Sequence, residues 1–315
     1  MKANYVYFIQ LSSTNSLLDY SALAALAAVI REGSFDRAAR ALHVTPSAVS
    51  QRIRLLEERV GCALVVRDQP CRPTDTGRRL CQHIDRVRLL EQELQAVLPA
   101  IAPQDGGARV PLPIAVNADS LATWLVPAIA AFAASAPVLV DVSVDDEGHT
   151  AQWLRSGAVL AAVTAQARPT TGCNSRPLGA MRYVAAASPD FVRRHFAHGV
   201  TAGALSRAPS LMFSLKDNLQ TRWARRLCHR EVELPRHALP STQAFVTASV
   251  AGMGWGMHPI MLAAEHLQRG TLVELVADTP LDIPLYWHHA RAASALVDGL
   301  SRAVLAAARS TLRQR

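Results

Sequence analysis

From Tyr20 onward, apolar residues recur at helical spacing in three short runs. The first, SALAALAAVIREG, places Leu23, Leu26, Val29 and Ile30 on one face and stops at Gly33. Ser34 suits the N-cap of a second run, FDRAARALHV, whose Ala38, Ala39 and Leu42 face inward. Thr45 caps a third, TPSAVSQRIRLLEERVG, with Pro46 in its first turn and Gly61 as its stop. Small alanines where helices cross, joined by a turn of a few residues, are what a helix-turn-helix requires. ALVVRDQPCRPT then reads as a short hairpin, and Thr74 caps a long helix, DTGRRLCQHIDRVRLLEQELQAVL. Leu80, Ile84, Val87, Leu90 or Leu94, and Val97 or Leu98 form its stripe. That heptad-like spacing predicts pairing with a second copy of the chain.

The pattern changes after a Pro/Gly break, APQDGGARVPLP (Ala102 to Pro113). Short apolar strands now alternate with amphipathic helices: LPIAV, SLATWLVPAIAAFAAS, VLVDVSV, TAQWLRSG, VLAAVT. This rhythm predicts an α/β domain with a parallel sheet. A second run of similar units starts near MRYVAAAS and contains APSLMF, the helix AFVTASVAG and the strand WGMH. PLYWHH and ASALVDGLSRAVLAAARS return to the first subdomain. The expected division is a tail (1–17), an N-terminal helix-turn-helix domain (18–75), a linker helix (76–101) and a C-terminal domain (111–315). Within the last, one lobe spans about 111–180 and 271–315, the other about 181–270.

The third helix has a divided surface. Ala48, Val49, Ile53 and Leu56 form a packing side; Ser47, Ser50, Gln51 and Arg54 form a polar side suited to base edges and phosphates. Arg67 and Arg72 lie on the hairpin, where they suit the DNA backbone or minor groove. Thr45, Pro46, Ser34 and Arg52 complete the candidate DNA-binding set. The formal net charge of +8 and pI near 9.8 suit a polyanionic partner, and only Lys2 and Lys216 are lysines. Arginine suits phosphates, but such a preference also follows from genome composition, so net charge alone decides nothing.

Five scattered cysteines (Cys62, Cys71, Cys81, Cys173, Cys228) form no zinc-like cluster, which points to a reducing cytoplasm. No apolar run is expected to span a membrane. The N-terminus makes a poor signal peptide and reads as a loose tail or an over-long start.

These residues carry a resemblance. SFDRAARALHVTPSAVSQRIRLLEERVG, then LVVR, PTDTG and a long helix, resemble the winged helix-turn-helix of LysR-type transcriptional regulators. HVTPSAVSQRI, VRDQPCRPT and AVNADSLATW are similar more narrowly to the LysG/ArgP branch, which senses basic amino acids and controls genes such as a lysine/arginine exporter. The resemblance implies that Thr45, Pro46, Ser47, Ser50 and Gln51 face the major groove, with Arg67 and Arg72 on the wing. It implies a C-terminal effector domain of two Rossmann-like lobes, periplasmic-binding-protein-like, with the ligand between them. It also implies operator DNA, self-association as dimer or tetramer, and RNA polymerase as partners, with no cofactor and no membrane. Many members carry Gln where this chain has Pro46, and Arg where it has Gln51, so the operator cannot be carried over.

In open sheets of this type, ligands sit beyond the carboxyl ends of the strands. VNADSLATW follows the first strand there, so its N–H groups and Ser120 suit a ligand carboxylate, with Asn117 and Thr123 beside them. Ser241, Thr242 and Gln243 of STQAF start a helix in the second lobe and suit the same carboxylate from the other side, and Thr164, at the end of the third strand, is a further candidate. Asp119, and Asp145 and Asp146 of the VDDEGH run, suit an ammonium or guanidinium. Asp146 is slightly favoured over Asp145 and Glu147. Lysine or arginine fits both ends of this arrangement.

Other features read as structure. GMGWG makes a helix-to-strand turn, and at least two of Trp124, Trp255 and Trp287 fill the core. His288 and His289 lack a nucleophile motif, and GxSxG is absent, so no enzyme is expected. The alternatives are a sensor of another small metabolite, a redox sensor acting through Cys173 and Cys228, or a solute-binding protein.

Overall fold

The computed structural model describes residues 18–98, 111–136, 138–145, 150–291 and 295–314. The expected tail, most of the Pro/Gly break, and Asp146 and Glu147 lie outside the described residues, as does the side chain of Val97. The chain forms two compact units, dividing between Gln92 and Glu93.

In the first unit, α1 (Tyr20–Glu32) starts at Asp19, whose side chain accepts from the N–H groups of Ser21 and Ala22. Bonding to Ser21 holds the Asp19 carboxyl below its ordinary value, with a smaller contribution from Arg52. Gly33 ends α1 in the left-handed region (φ 67°), where a Cβ would meet Pro70 at 2.8 Å. Ser34 caps α2 (Phe35–Ala41) through Arg37 N–H, and Thr45 caps α3 (Pro46–Val60) through Ala48 N–H. The second helix was expected to run to Val44, but it stops at Ala41. His43 turns left-handed there (φ 52°), which redirects the chain into α3.

Alanines and leucines of α1 and α2 pack with Val49, Ile53 and Leu56 of α3 into one core. A two-strand wing follows, β1 (Val65–Val66) against β2 (Arg72–Pro73). Glu57 ties the end of α3 to it by accepting from Leu64 N–H at 2.8 Å. Thr74 caps α4 (Asp75–Val97) through Gly77 N–H. The stripe along α4 splits into two parts. Leu80, Ile84 and Val87 pack on the core of this unit, whereas Leu90, Leu94 and Leu98 are each about half exposed.

The second unit is built on a seven-stranded sheet. Its path is β10 (Val273–Glu274), β6 (Cys173–Ala187), β11 (Leu281–Ala290), β5 (Ala161–Thr164), β3 (Pro111–Asn117) and β4 (Leu139–Asp145), with β9 (Gly256–Pro259) also on β6. Only β3 with β4 and with β5 is parallel; β6 and β11 pair antiparallel with their neighbours. The sheet is therefore mixed rather than parallel, and the long antiparallel pair β6/β11 joins the two expected lobes into one surface. β6 begins at Cys173, eight residues before the expected start, because CNSRPLG carries no clear alternation. A further parallel pair is formed by β7 (Ser210–Met212) and β8 (Arg236–Ala238).

Between β3 and β4 the chain runs through a short helix α5 (Ala118–Ser120), a π-turn (Leu121–Leu125) and α6 (Val126–Ser135). Pro127 lacks the N–H that a regular helix would use, which favours an irregular turn just before it. Contrary to the sequence expectation, Ala118–Ser135 is long and apolar enough to cross a membrane, with mean hydropathy 1.3 over 18 residues. Its alanines and leucines raise the hydropathy, but it sits between two strands of the sheet and buries Trp124, Leu125, Ala128 and Phe132, which makes it a domain helix.

The remaining helices are α7 (Thr150–Ser156), α8 (Pro189–His195), α9 (Ala202–Leu205), α10 (Leu219–Cys228), α11 (Thr242–Val250), α12 (Ile260–Gln268) and α13 (Ala295–Thr311). Trp124, Trp255 and Trp287 are all buried, and the glycine run joins α11 to β9. A Cβ on Gly256 would run into the Phe245 ring, so the strand passes directly behind that residue.

Candidate functional site

The exposed face of α3 brings together Thr45, Pro46, Ser47, Gln51 and Arg54, with Ser50 half-buried beside them. Val49, Ile53 and Leu56 on the other face fix the helix on the core. Arg54 pairs along the helix with Glu58 at 2.9 Å, an exposed contact of small net worth. On the wing, Arg67 lies over the Phe35 ring, 5.2 Å from its centroid, and Arg72 pairs with Asp68. Both arginines are exposed. Arg52 stands apart from this face: it is half-buried and acts electrostatically on Asp19 at the start of α1. Ser34 is committed as the cap of α2.

In the second unit, the ends of β3 and the start of α11 meet. Asp119 accepts from Thr242 Oγ1 at 3.0 Å and from Tyr183 Oη at 2.8 Å. Asp119, Asp217, Thr242, Phe245, His258 and Pro259 line a small cleft. Asp217 holds the loop after β7 by accepting from the N–H groups of Phe213 and Leu219. His258 bonds Ser249 at 2.9 Å, and burial pushes its imidazole down to about 4, so it is neutral near pH 7. Among the described lining residues there are two carboxylates and no arginine or lysine. The cleft is acidic in a chain of net charge +8.

Next to it, three buried polar groups on consecutive turns have no hydrogen-bond partner among the described residues. They are the Asn117 amide, Ser120 Oγ and Trp124 Nε1. Buried polar groups are usually satisfied by protein, water or a bound molecule. Thr123 Oγ1 is instead donated to the Asp119 carbonyl at 2.5 Å. Asp145 receives the Trp153 indole N–H at 3.1 Å and the Lys216 ammonium at 3.3 Å.

Not every expected residue joins this group. Ser241 is exposed and caps α11 through Ala244 N–H, and Gln243 is exposed. Thr164 is buried and accepts from Gln166 N–H at 3.2 Å. Cys173 and Cys228 are free thiols, Cys173 buried in the core beside β3. Tyr183, Asp217, Lys216 and His258 escaped sequence reasoning. Only Lys216 carried a signal, as one of two lysines in an arginine-rich chain.

The family described as "Bacterial regulatory helix-turn-helix protein, lysR family" matches residues 20–78, and the "LysR substrate binding domain" matches residues 105–309. The chain is 47% identical over 292 residues to the HTH-type transcriptional regulator ArgP of Pseudomonas aeruginosa, covering 93% of this chain and 96% of that one. The crystal structure of ArgP from Mycobacterium tuberculosis is similar, with a TM-score of 0.78 and 44% identity, over 95% of this chain and 100% of that one. Full-length LysG from Corynebacterium glutamicum with bound effector arginine is also similar, with a TM-score of 0.67 and 36% identity, over 94% of this chain and 100% of that one. The work of the chain is regulatory rather than catalytic. It belongs to the LysR family of bacterial helix-turn-helix transcriptional regulators.

Proposed function

We propose that this regulator senses a basic amino acid, arginine or lysine, in the cleft at Asp119 and controls genes such as a basic amino acid exporter. The observation that carries this reading is the acidic cleft, whose described lining residues include Asp119 and Asp217 and no cationic side chain. The bound arginine of the similar LysG supports it. Asn117 and Ser120, buried without partners beside Asp119, suit the ligand's carboxylate, while Asp119, Asp145 and Asp146 suit its cations.

Ser47, Ser50, Gln51 and Arg54 read the operator from the exposed face of α3, and Arg67 and Arg72 contact its backbone from the wing. The half-exposed Leu90 and Leu94 on α4, and Leu98 just after it, pair with a second copy, giving a dimer or a dimer of dimers. The protein acts in the cytoplasm, where its operator and RNA polymerase are. The effector must bind one arrangement of the assembly more tightly than another, since equal binding shifts nothing.

Thermal melting and gel-shift titration of the full-length protein test this reading. Arginine or lysine at millimolar concentration raises the melting temperature and alters the complex with operator DNA; neutral amino acids do neither. No stabilisation by either basic amino acid would overturn the sensing half.

A further inference from the structure

Asp145 is the described carboxylate of VDDEGH, and a cation already sits on it. Lys216 Nζ lies 3.3 Å from Asp145 Oδ1, across 71 residues of sequence. The other carboxylate oxygen is fixed by the Trp153 indole N–H, so the group presents a set orientation. Both partners adjoin the cleft. Asp145 is in register with Asn117 on the neighbouring strand, two residues before the cleft residue Asp119, and Lys216 immediately precedes the cleft residue Asp217.

The backbone around Lys216 is tied by three hydrogen bonds to side chains of its own loop. Its N–H is donated to Ser214 Oγ, and Asp217 accepts from Phe213 and Leu219 on either side. Only the four-carbon stem is free to swing, and the Lys216 side chain is 51% exposed. Lys216 is the only lysine among the described residues; every other basic side chain of high pKa there is arginine.

We propose that Lys216 is a built-in competitor for the effector's cation at Asp145. This rests on the basic amino acid reading of the cleft. The ammonium of Lys216 is chemically the head group of a lysine effector, and it leaves the carboxylate by side-chain rotation alone. A guanidinium makes two parallel bonds to a carboxylate where an ammonium acts as a point charge, so arginine displaces Lys216 more readily than lysine does. The pair thus sets the concentration at which the sensor responds. Displacing Lys216 also breaks a tie between the end of β4 and the loop after β7, which couples binding to the arrangement of those two segments.

Calorimetric titration of the full-length protein with L-arginine and with L-lysine tests this in wild type, Lys216→Met, Asp145→Asn and the double variant. Met keeps the stem without the charge, and a melting curve checks that each variant is folded. The expected result is arginine binding about two- to fivefold tighter in Lys216→Met, the range for a partly exposed ion pair, and the same factor for lysine, since one competitor lowers both affinities equally. In the Asp145→Asn background the same substitution has no effect. An unchanged or weaker arginine affinity in Lys216→Met, with wild type binding normally, overturns the role of Lys216 alone. Absence of any basic amino acid binding to wild type overturns the sensing reading and this inference with it.

Discussion

Thr242, at the start of α11, donates its hydroxyl to the Asp119 carboxylate at 3.0 Å and so joins two segments 123 residues apart at one cleft. Tyr183 on β6 donates to the other oxygen. The carboxylate is thereby aimed by two neutral donors. Asp119→Asn keeps the shape and removes the charge, and should weaken arginine binding by at least about tenfold, as loss of a charge-assisted bond implies. Thr242→Val removes one of these donors and should weaken arginine binding less than Asp119→Asn does, because it touches the carboxylate and not the ligand. Calorimetry of folded variants reads both, and wild-type affinity in Asp119→Asn would exclude Asp119 from the site.

On the DNA face, Gln51 and Arg67 should behave differently. Gln51 is exposed on α3 among short polar residues and is placed for a base edge. Gln51→Ala should cost about 1–3 kcal/mol on the operator and relax its sequence preference. Arg67→Ala should weaken operator and unrelated DNA alike and lower the salt slope by about one. Fluorescence anisotropy at several salt concentrations separates the two, and identical behaviour would contradict the assignment.

The second half of α4 supplies the self-association test. Leu90, Leu94 and Leu98 recur every fourth residue and are each about half exposed. Leu94→Asp places a charge in that stripe, and the protein should sediment at lower mass than wild type. An unchanged sedimentation coefficient would remove the stripe from the interface.

His258 makes stability depend on pH. Burial lowers its folded pKa to about 4, below the ordinary 6.5. Between these values the unfolded chain binds a proton that the folded chain does not, so stability is fully present above about pH 6.5 and falls as pH drops toward 4. The loss attributable to this residue is on the order of 3 kcal/mol. Denaturant midpoints should therefore fall across pH 6.5 to 4.5 in wild type and fall less steeply in His258→Asn. Equal slopes would show that the residue does not set the acid limit.

The N-terminal unit was largely legible from sequence because its helices are local. Caps at Ser34, Thr45 and Thr74 and the stop at Gly61 need only neighbouring residues, and each appears where the pattern put it. The end of α2 was not, since the left-handed turn at His43 depends on how α3 must dock. In the C-terminal unit the β/α rhythm was visible, but the antiparallel pair β6/β11 was not, because its pairing joins distant segments.

Asp119 was singled out from its place after a strand, and it lines the cleft. Tyr183 and Asp217 were missed because only the folded chain brings a strand residue and a loop residue to that carboxylate's cleft. Thr242 was assigned to the ligand's carboxylate, whereas it bonds Asp119. Sequence alone places donors near an edge and does not say which group they meet first.

The most direct measurement is a calorimetric titration of the full-length wild-type protein with L-arginine beside L-citrulline, which has nearly the same shape and no charge. Saturable arginine binding with citrulline at least about tenfold weaker is the result expected of an acidic cleft that reads a cation. Equal binding of the two, or no arginine binding up to millimolar concentration, would contradict it.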